Sequence, residues 1–274
     1  MTENHTAPAA QTAVALRRHA HGVSEIVLNR PEKRNAFDDV IIGQLLDVLA
    51  DVDADSNTSV VIIRSAGKHF SAGADLDWMR RMADNSHQEN LDDARQLARL
   101  MQTLNQIRQP VIGLVQGAAY GGAVGIAACC DIVIANEKTR FCLSEVKLGL
   151  IPAVISPYVV RAIGERQARR YALSAEVINA REAEKLGLVH IVCDDIDAMD
   201  SCCETMLQQL AQNGPGAMQA AKDLVLAVSH KPIDDAVLED TAQRIADIRV
   251  GVEGQEGLSA FLDKRHAYWM PETS

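Results

Sequence analysis

The sequence predicts an α/β fold in which a largely parallel sheet is followed by a helical C-terminal section. Apolar runs rich in β-branched residues alternate with segments whose apolar residues recur at helical spacing. Beyond Pro157 this alternation stops, and the pattern stays helical apart from one short run at residues 189–192. Strands that are joined through helices pair in parallel with right-handed crossovers, so we expect one α/β core with helices added after it.

The expected elements follow one another from residue 24 onward. A first strand at residues 24–29 ends before Pro31, because proline cannot continue a ladder. A helix over residues 36–53 has apolar residues at helical spacing, with Asn35 as its expected N-cap. After it we expect, in chain order, a strand at 60–63, a helix at 91–107, a strand at 111–115, a helix at 123–130 and strands at 131–135, 141–143 and 189–192.

Three regions are expected along the 274 residues: a loose tail over 1–14, an α/β core over 15–204 and a helical region over 205–274. A chain of this length suits one large domain with an appendage. Its six cysteines show no zinc-site spacing, and a chain of this size needs no disulfides for stability. The N-terminal residues build no apolar signal segment. These features favour a cytoplasmic location.

Composition and motifs exclude several classes of partner and cofactor. The formal charge of -10 and the aromatic content of 4% are the opposite of what nucleic-acid binding requires. Residues 111–130 are uncharged, but their five glycines predict a buried strand, turn and helix rather than a membrane span. The sequence has no phosphate-binding G-x-x-x-x-G-K-[ST] or G-x-G-x-x-G loop and no G-x-S-x-G elbow. We therefore expect no nucleic acid, membrane, metal or cofactor.

Two turns of small residues follow two of the buried strands, at residues 71–75 and 117–122. Ligands of α/β sheets bind at the carboxyl ends of strands, and small residues let the backbone approach them closely. The second turn leads directly into a helix, whose N-terminus favours negative charge. Two amide groups that converge there would form an oxyanion hole. The alternative is that both are ordinary tight turns beneath a packed helix.

Glu145 is the candidate for proton transfer. It lies two residues beyond the apolar run at residues 141–143, where burial can raise the pKa of a carboxyl group toward the useful range. The alternative is an ordinary surface carboxylate.

Six segments together resemble the enoyl-CoA hydratase/isomerase, or crotonase, family. They keep the order and spacing of that family over residues 15–266, and their sequences are LNRPEKRNAF (28–37), HFSAGADL (69–76), VQGAAYGGAVGIAACCDIVIA (115–135), RFCLSEVKLGLIP (140–152), AREAEKLGLV (180–189) and FLDKR (261–265). The resemblance implies a crotonase-like spiral of ββα repeats with a helical C-terminal trimerisation region, acting on coenzyme A thioesters. It also implies a homo-oligomer, either a trimer or a dimer of trimers.

The resemblance assigns roles to individual residues. The oxyanion-hole amides match Ala74 and Gly122, and Glu145 matches a catalytic glutamate. Residues expected to bind the CoA thioester are Arg34, Ala36, Ala72, Asp75 and Leu76, with Phe261 and Lys264 reaching the adenine end of CoA across a subunit interface. No cofactor is implied beyond the coenzyme A of the substrate itself.

One departure from the family pattern leaves the reaction open. Typical hydratases carry two catalytic glutamates, and here the first falls on Gly125 while the second is Glu145. Family members with a single glutamate include isomerases that move a double bond. The run PAVISPYVV (152–160), together with FCLSEVKLGL (141–150), nevertheless resembles bacterial methylglutaconyl-CoA hydratases, so we expect a hydratase, with an isomerase as the alternative. A catalytically silent acyl-CoA or RNA-binding protein is a further alternative.

Overall fold

The structure, a computed structural model, describes residues 12–271. The expected tail over residues 1–14 therefore lies mostly outside the described residues, and its last residue, Val14, is already buried in the first strand. In the described part of the chain the strands are β1 (Val14–His19), β2 (Val23–Leu28), β3 (Val60–Ser65), β4 (Val111–Val115), β5 (Ala118–Tyr120), β6 (Ile132–Asn136), β7 (Arg140–Cys142), β8 (Ile178–Asn179) and β9 (Ile191–Cys193).

Helices connect the strands and form the whole C-terminal part. They are α1 (Asp39–Ala54), α2 (Leu76–Asp84), α3 (His87–Gln106), α4 (Gly122–Cys129), α5 (Ser156–Ile163), α6 (Glu165–Ser174), α7 (Ala180–Leu186), α8 (Ile196–Leu210), α9 (Pro215–Val228), α10 (Asp235–Val250) and α11 (Val252–Leu262). All the strands expected from the sequence are present, with ends shifted by one or two residues. β1, β5, β8 and α2 were not predicted. β5 and β8 have only three and two residues, β1 (VALRRH) is polar in its second half, and α2 is highly polar.

The strands form one large sheet and one small sheet. The order in the large sheet is β1-β2-β3-β4-β6-β9, and that in the small sheet is β5-β7-β8. Every pair in the large sheet is parallel except β1 with β2, which confirms the largely parallel arrangement. β4 and β6 belong to the large sheet, and each is followed by a strand of the small sheet, β5 and β7. The chain therefore winds between two sheets, as a spiral of ββα turns requires.

The large sheet is covered on both faces. One face joins α1, α3, α4 and α5 in the main apolar cluster, and the other packs against α8 through Met199 and Cys203. Such a doubly covered sheet explains why β4 is buried along its whole length. α8 runs unbroken through residue 205, where a boundary between core and helical region was expected. Because α8 covers the sheet, it belongs to the core, and the helical region begins with α9.

The N-cap of α1 differs from the expected one. The carboxylate of Asp38 accepts a hydrogen bond from the amide of Ile41 at 2.9 Å and so caps the helix. Asn35 instead has a left-handed backbone, and its buried side-chain amide donates to the carbonyls of Ala66 and His69. The asparagine therefore fastens the loop before α1 to the loop after β3.

No helix among residues 12–271 is long and apolar enough to cross a membrane. All six cysteines are free thiols, and four of them, Cys129, Cys130, Cys142 and Cys203, are buried.

Candidate active site

The loop after β3 lies directly beside β5 of the small sheet. The amide of Ser71 donates to the carbonyl of Ala118 at 3.0 Å, and the amide of Tyr120 donates to the carbonyl of Ser71 at 3.1 Å. Gly73 has a φ of +97°, and a Cβ at this position would lie 3.4 Å from the carbonyl oxygen of Tyr120. The two small-residue turns predicted from the sequence are therefore held against each other by backbone contacts.

The amide of Ala74 faces away from the segment that holds it. Phe37 donates its amide hydrogen to the carbonyl of Gly73 and accepts from the amide of Asp75, each at 2.7 Å. Ala74 lies between Gly73 and Asp75, the two residues that bond Phe37 in this parallel bridge. Its N–H therefore points away from Phe37. Among residues 12–271 no protein group accepts a hydrogen bond from the N–H of Ala74. It is thus free to bind an acceptor.

The second amide stands at the N-terminus of α4. Gly122 is the first residue of this helix, so its N–H has no acceptor within the helix. Gly121, the N-cap, has a φ of +55° and donates to the carbonyl of Cys142 at 3.0 Å, which ties the helix start to β7. The helix dipole adds partial positive charge at this end. The amide of Gly122 therefore suits a developing oxyanion.

Phe37 organises both of these amides, and the sequence analysis missed it. Its backbone brackets Ala74, while its ring lies 3.6 Å from the position that a Cβ of Gly122 would take. The helical spacing of apolar residues assigned Phe37 to α1, but the helix begins two residues later, at Asp39. Asp38 directly after it is a typical N-cap residue, and this signal could have placed Phe37 before the helix.

Glu145 lies beside the start of α4, next to the residue that precedes Gly122. It begins a short 3-10 helix, Glu145–Leu148, directly after β7. A methyl group at Gly121 would lie 3.3 Å from Oε1 of Glu145, whereas Oε2 is buried and has no hydrogen-bond partner among the described residues. Burial raises the pKa of this carboxyl group above its usual value, as the sequence position predicted. An acidic group with a free, dry oxygen is suited to proton transfer.

The position of a second glutamate is closed. A Cβ at Gly125 would lie 2.3 Å from Cγ2 and 2.8 Å from Cβ of Ile155, and 3.0 Å from Sδ of Met101. Real Cβ atoms do not approach other heavy atoms so closely, so any side chain at position 125 would have to displace its neighbours. Glu145 is therefore not joined by a second carboxyl group on this face of α4.

The residues expected to bind the CoA thioester in the first half of the chain come together. The amide of Ala72 donates to the carbonyl of Arg34 at 3.0 Å, which places Arg34 and Ala36 beside the loop that carries Ala72 and Asp75. Leu76, at the start of α2, is 69% exposed. These residues therefore lie on the two loops that meet around Ala74, a region called the rim below, although Ala36 and Asp75 are buried there. Whether they contact coenzyme A stays a prediction.

The carboxylate of Asp75 has a structural role. It caps α2 by accepting hydrogen bonds from the amides of Asp77 and Trp78, and Nζ of Lys33 lies 3.1 Å away. Burial alone would raise the pKa of Asp75, but the hydrogen bonds from Lys33 and from these amides outweigh it and hold the pKa below its usual value. Contact with an anionic ligand at this position would therefore involve the backbone rather than the carboxylate.

Phe261 and Lys264 lie apart from this rim. Phe261 is 82% exposed on α11, which packs against α9 and α10. No hydrogen bond or ion pair in the described part of the chain joins either residue to the loops around Arg34 and Ala72. Apolar side chains exposed in the same region are Val225, Leu226, Ile233, Leu238, Ile245, Val250, Val252, Leu258 and Leu262. The two residues do not complete the site within one chain.

The predicted site residues lie neither in the large cavity of the protein nor in a cluster of metal-binding side chains among the described residues. A cavity of about 1640 Å³ lies on the α8 side of the large sheet, lined by Val60, Ile62 and Leu114 among others, and none of the predicted site residues lines it. Among residues 12–271 no group of three His, Cys, Asp or Glu side chains is arranged to hold a metal ion.

Two free amides and one partly buried glutamate with a buried, unpartnered Oε2 are suited to stabilising an oxyanion and to transferring a proton. A family model described as enoyl-CoA hydratase/isomerase matches residues 18–272. The chain belongs to the enoyl-CoA hydratase/isomerase family.

Individual relatives agree with this assignment. The crystal structure of an enoyl-CoA hydratase from Shewanella pealeana superposes with a TM-score of 0.91 at 47% identity, over 94% of this chain and 96% of that one. The 2,3-dehydroadipyl-CoA hydratase of Escherichia coli is 34% identical over 88% of this chain and 92% of its own length. The trans-2-decenoyl-[acyl-carrier-protein] isomerase of Streptococcus mutans is 30% identical, over 89% and 93%. Both reaction types therefore occur among proteins similar to this chain.

Proposed function

We propose that this protein adds water across the α,β double bond of an enoyl-CoA thioester, with a branched or carboxylated acyl chain such as 3-methylglutaconyl as the preferred substrate. The observation that carries the proposal is the buried, unpartnered Oε2 of Glu145 together with the two free amides of Ala74 and Gly122. The acyl preference rests on the resemblance of residues 141–150 and 152–160 to methylglutaconyl-CoA hydratases.

The mechanism follows from these three groups. The thioester oxygen accepts hydrogen bonds from Ala74 and Gly122. Glu145 in its ionised form takes a proton from water while the water oxygen bonds to the β-carbon, and the electron pair of the double bond moves to give an enolate. The two amides stabilise the enolate oxygen, and one such donor typically contributes ~2.7–4 kcal/mol to the transition state. Glu145 then returns the proton to the α-carbon, so that water has been added overall.

A second candidate is isomerisation of an enoyl thioester by the same glutamate. The closed position at Gly125 favours it, because moving a double bond requires one carboxyl group to carry a proton between two carbons and requires no water. The similarity to an isomerase acting on an acyl-carrier-protein thioester is in keeping with this alternative.

One assay separates the candidates. The purified protein is incubated with crotonyl-CoA, 3-methylglutaconyl-CoA and a 3-enoyl-CoA, and the absorbance of the conjugated enoyl thioester is followed. A hydratase removes the absorbance of the first two substrates and yields a 3-hydroxyacyl product, whereas an isomerase creates absorbance from the third. No turnover of any of the three would contradict both candidates.

The protein is further proposed to act as a homo-oligomer in the cytoplasm, as a trimer or a dimer of trimers. The exposed apolar side chains of α9, α10 and α11 support this, because no residue of α9 or α10 is buried within the single chain. A neighbouring subunit would then bring Phe261 and Lys264 to the adenine end of CoA.

Lys264→Ala is expected to raise KM for an acyl-CoA about two- to fivefold at low salt, since an exposed ion pair contributes up to ~1 kcal/mol. The difference is expected to shrink as salt screens the charge over ~10 Å at 0.1 M ionic strength. The measurement compares the acyl-CoA with the same acyl group on pantetheine, which lacks the adenine nucleotide.

The control for this experiment is Lys185→Ala, which removes another exposed lysine, on α7. Deletion of residues 257–274 is expected to raise KM for the acyl-CoA further than Lys264→Ala does. Equal losses with CoA and pantetheine thioesters in the deletion variant would contradict a role in nucleotide binding and leave only a role in assembly.

A further inference from the structure

A short parallel bridge joins the two segments that carry the free amides. Ser71, in the loop after β3, exchanges backbone hydrogen bonds with Ala118 and Tyr120 of β5. Ala74 follows Ser71 by three residues, and Gly122 follows Tyr120 by two. The place at which this bridge holds the two segments therefore sets the position of one free amide relative to the other.

The bridge does not continue through the backbone of His69. In a parallel ladder the residue two positions before Ser71 would accept, through its carbonyl, the amide hydrogen of Ala118. The carbonyl of His69 instead accepts from Nδ2 of Asn35 at 2.9 Å and from Oγ of Ser65 at 3.0 Å. Nδ1 of the His69 ring accepts from the amide of Ala118 at 3.1 Å. The imidazole thus takes the place of the backbone carbonyl that the ladder lacks at this step.

This hydrogen bond fixes which nitrogen of the His69 ring carries the proton. A backbone N–H can only donate, so Nδ1 must present a lone pair, and the proton of the neutral ring lies on Nε2. Gly117 allows the ring to come so close. It has a φ of +62°, and a Cβ at this position would lie 2.8 Å from Nδ1 of His69.

We propose that His69 is a positioning residue for the oxyanion hole: its Nδ1 holds β5 against the loop after β3 and so fixes the amides of Gly122 and Ala74 relative to each other. The inference rests on the proposed function for the identity of the reaction. The hydrogen bond between His69 and Ala118, at the step where the backbone ladder is interrupted, carries it. Two amides that bind one oxygen tolerate little displacement, since loss of one such donor typically lowers kcat by about 10²–10³-fold.

The test compares two substitutions of His69. In His69→Asn, Oδ1 takes the place of Nδ1, because each of these atoms is bonded to Cγ, so an acceptor for the amide of Ala118 is kept. His69→Leu has a carbon atom there and leaves that amide without an acceptor. His69→Leu is expected to lower kcat by up to about 10²-fold, the loss that a small displacement in a site can produce. KM is expected to change less, because the amides bind the enolate more strongly than the thioester. His69→Asn is expected to keep kcat close to the wild-type value.

His190 provides a matched control. Its Nδ1 accepts from the amide of Val133 at 2.9 Å, so it makes the same kind of hydrogen bond, but to β6 of the large sheet. His190→Leu is expected to lose stability without this loss of kcat. Unchanged kcat in His69→Leu, or an equal loss of kcat in His69→Asn or in His190→Leu, would overturn the proposal. If His69→Leu does not fold, His69→Gln replaces it, since its oxygen lies one bond further from Cγ.

A second measurement does not depend on activity. Amide hydrogen exchange is followed by mass spectrometry in peptides that cover residues 70–76 and 116–122. Faster exchange of both peptides in His69→Leu than in the wild type and in His69→Asn supports the role of His69, and equal exchange in all three proteins contradicts it. If the wild type converts no enoyl thioester, the proposed function fails, while this measurement still decides whether His69 holds the two segments together.

Discussion

Glu145→Gln is expected to lower kcat by about 10²–10⁴-fold, which is the usual contribution of a general acid or base. Glutamine keeps the shape of the side chain but cannot exchange a proton, and Glu145 has no second carboxyl group beside it to take over. KM is expected to change little, because the amides of Ala74 and Gly122 still bind the thioester oxygen. Steady-state kinetics on the best enoyl-CoA substrate measure both quantities.

The same variant is expected to gain thermal stability at neutral pH. Burial raises the pKa of Glu145 in the folded protein above that in the unfolded chain. Ionisation of Glu145 therefore destabilises the folded protein. The wild type keeps its full stability at a pH below the pKa that Glu145 has in the unfolded chain. It loses part of that stability as the pH rises through the pKa that Glu145 has in the folded protein. The glutamine side chain carries no charge, so the Tm of the variant is expected to exceed that of the wild type at pH 7 and to approach it in acid.

The control for both measurements is Glu165→Gln, which changes an exposed glutamate in the first turn of α6. It is expected to leave kcat unchanged and to shift Tm little at either pH. Turnover of Glu145→Gln at the wild-type rate would contradict the assigned role of this carboxylate.

Gly125→Glu is expected to destabilise the protein by at least about 1–3 kcal/mol, the typical cost of overpacking a core. Its Cβ would lie 2.3 Å from Cγ2 of Ile155, and its carboxylate would enter an apolar cluster without a partner. A gain of hydratase activity, which a second glutamate would give in an open site, is therefore not expected. Urea unfolding and kcat on crotonyl-CoA measure the two effects.

The chain offers a matched control in Gly43→Glu. Gly43 is also a helical glycine, in α1, but apart from its chain neighbours and the backbone of its own helix no atom of the described residues lies within 4 Å of the position that its Cβ would take. This variant is expected to fold with a stability close to that of the wild type, because it gains helix propensity without a clash. If Gly125→Glu were as stable as Gly43→Glu, Ile155 would not fill the space at position 125.

Much of the site could be predicted from the sequence because its residues act through local backbone geometry. Glycine-rich turns after buried strands predicted two exposed amides, and a carboxylate at the end of an apolar run predicted a raised pKa. The direction of that shift is confirmed. The roles of Ala74, Gly122 and Glu145 in catalysis, and those of the expected CoA-binding residues, stay predictions that the experiments above test.

The sequence by itself determined the alternation of strands and helices, the small-residue turns and the family, because these depend on periodicity and on short motifs. Only the tertiary structure decided what surrounds each site residue. Phe37 brackets Ala74 through its backbone and touches Gly122 with its ring, and these residues are far apart in the chain. Likewise, Gly125 reads in the sequence as a missing glutamate, but folding packs Ile155, thirty residues later, into that space. Contacts between distant segments set this environment, and no local pattern encodes them.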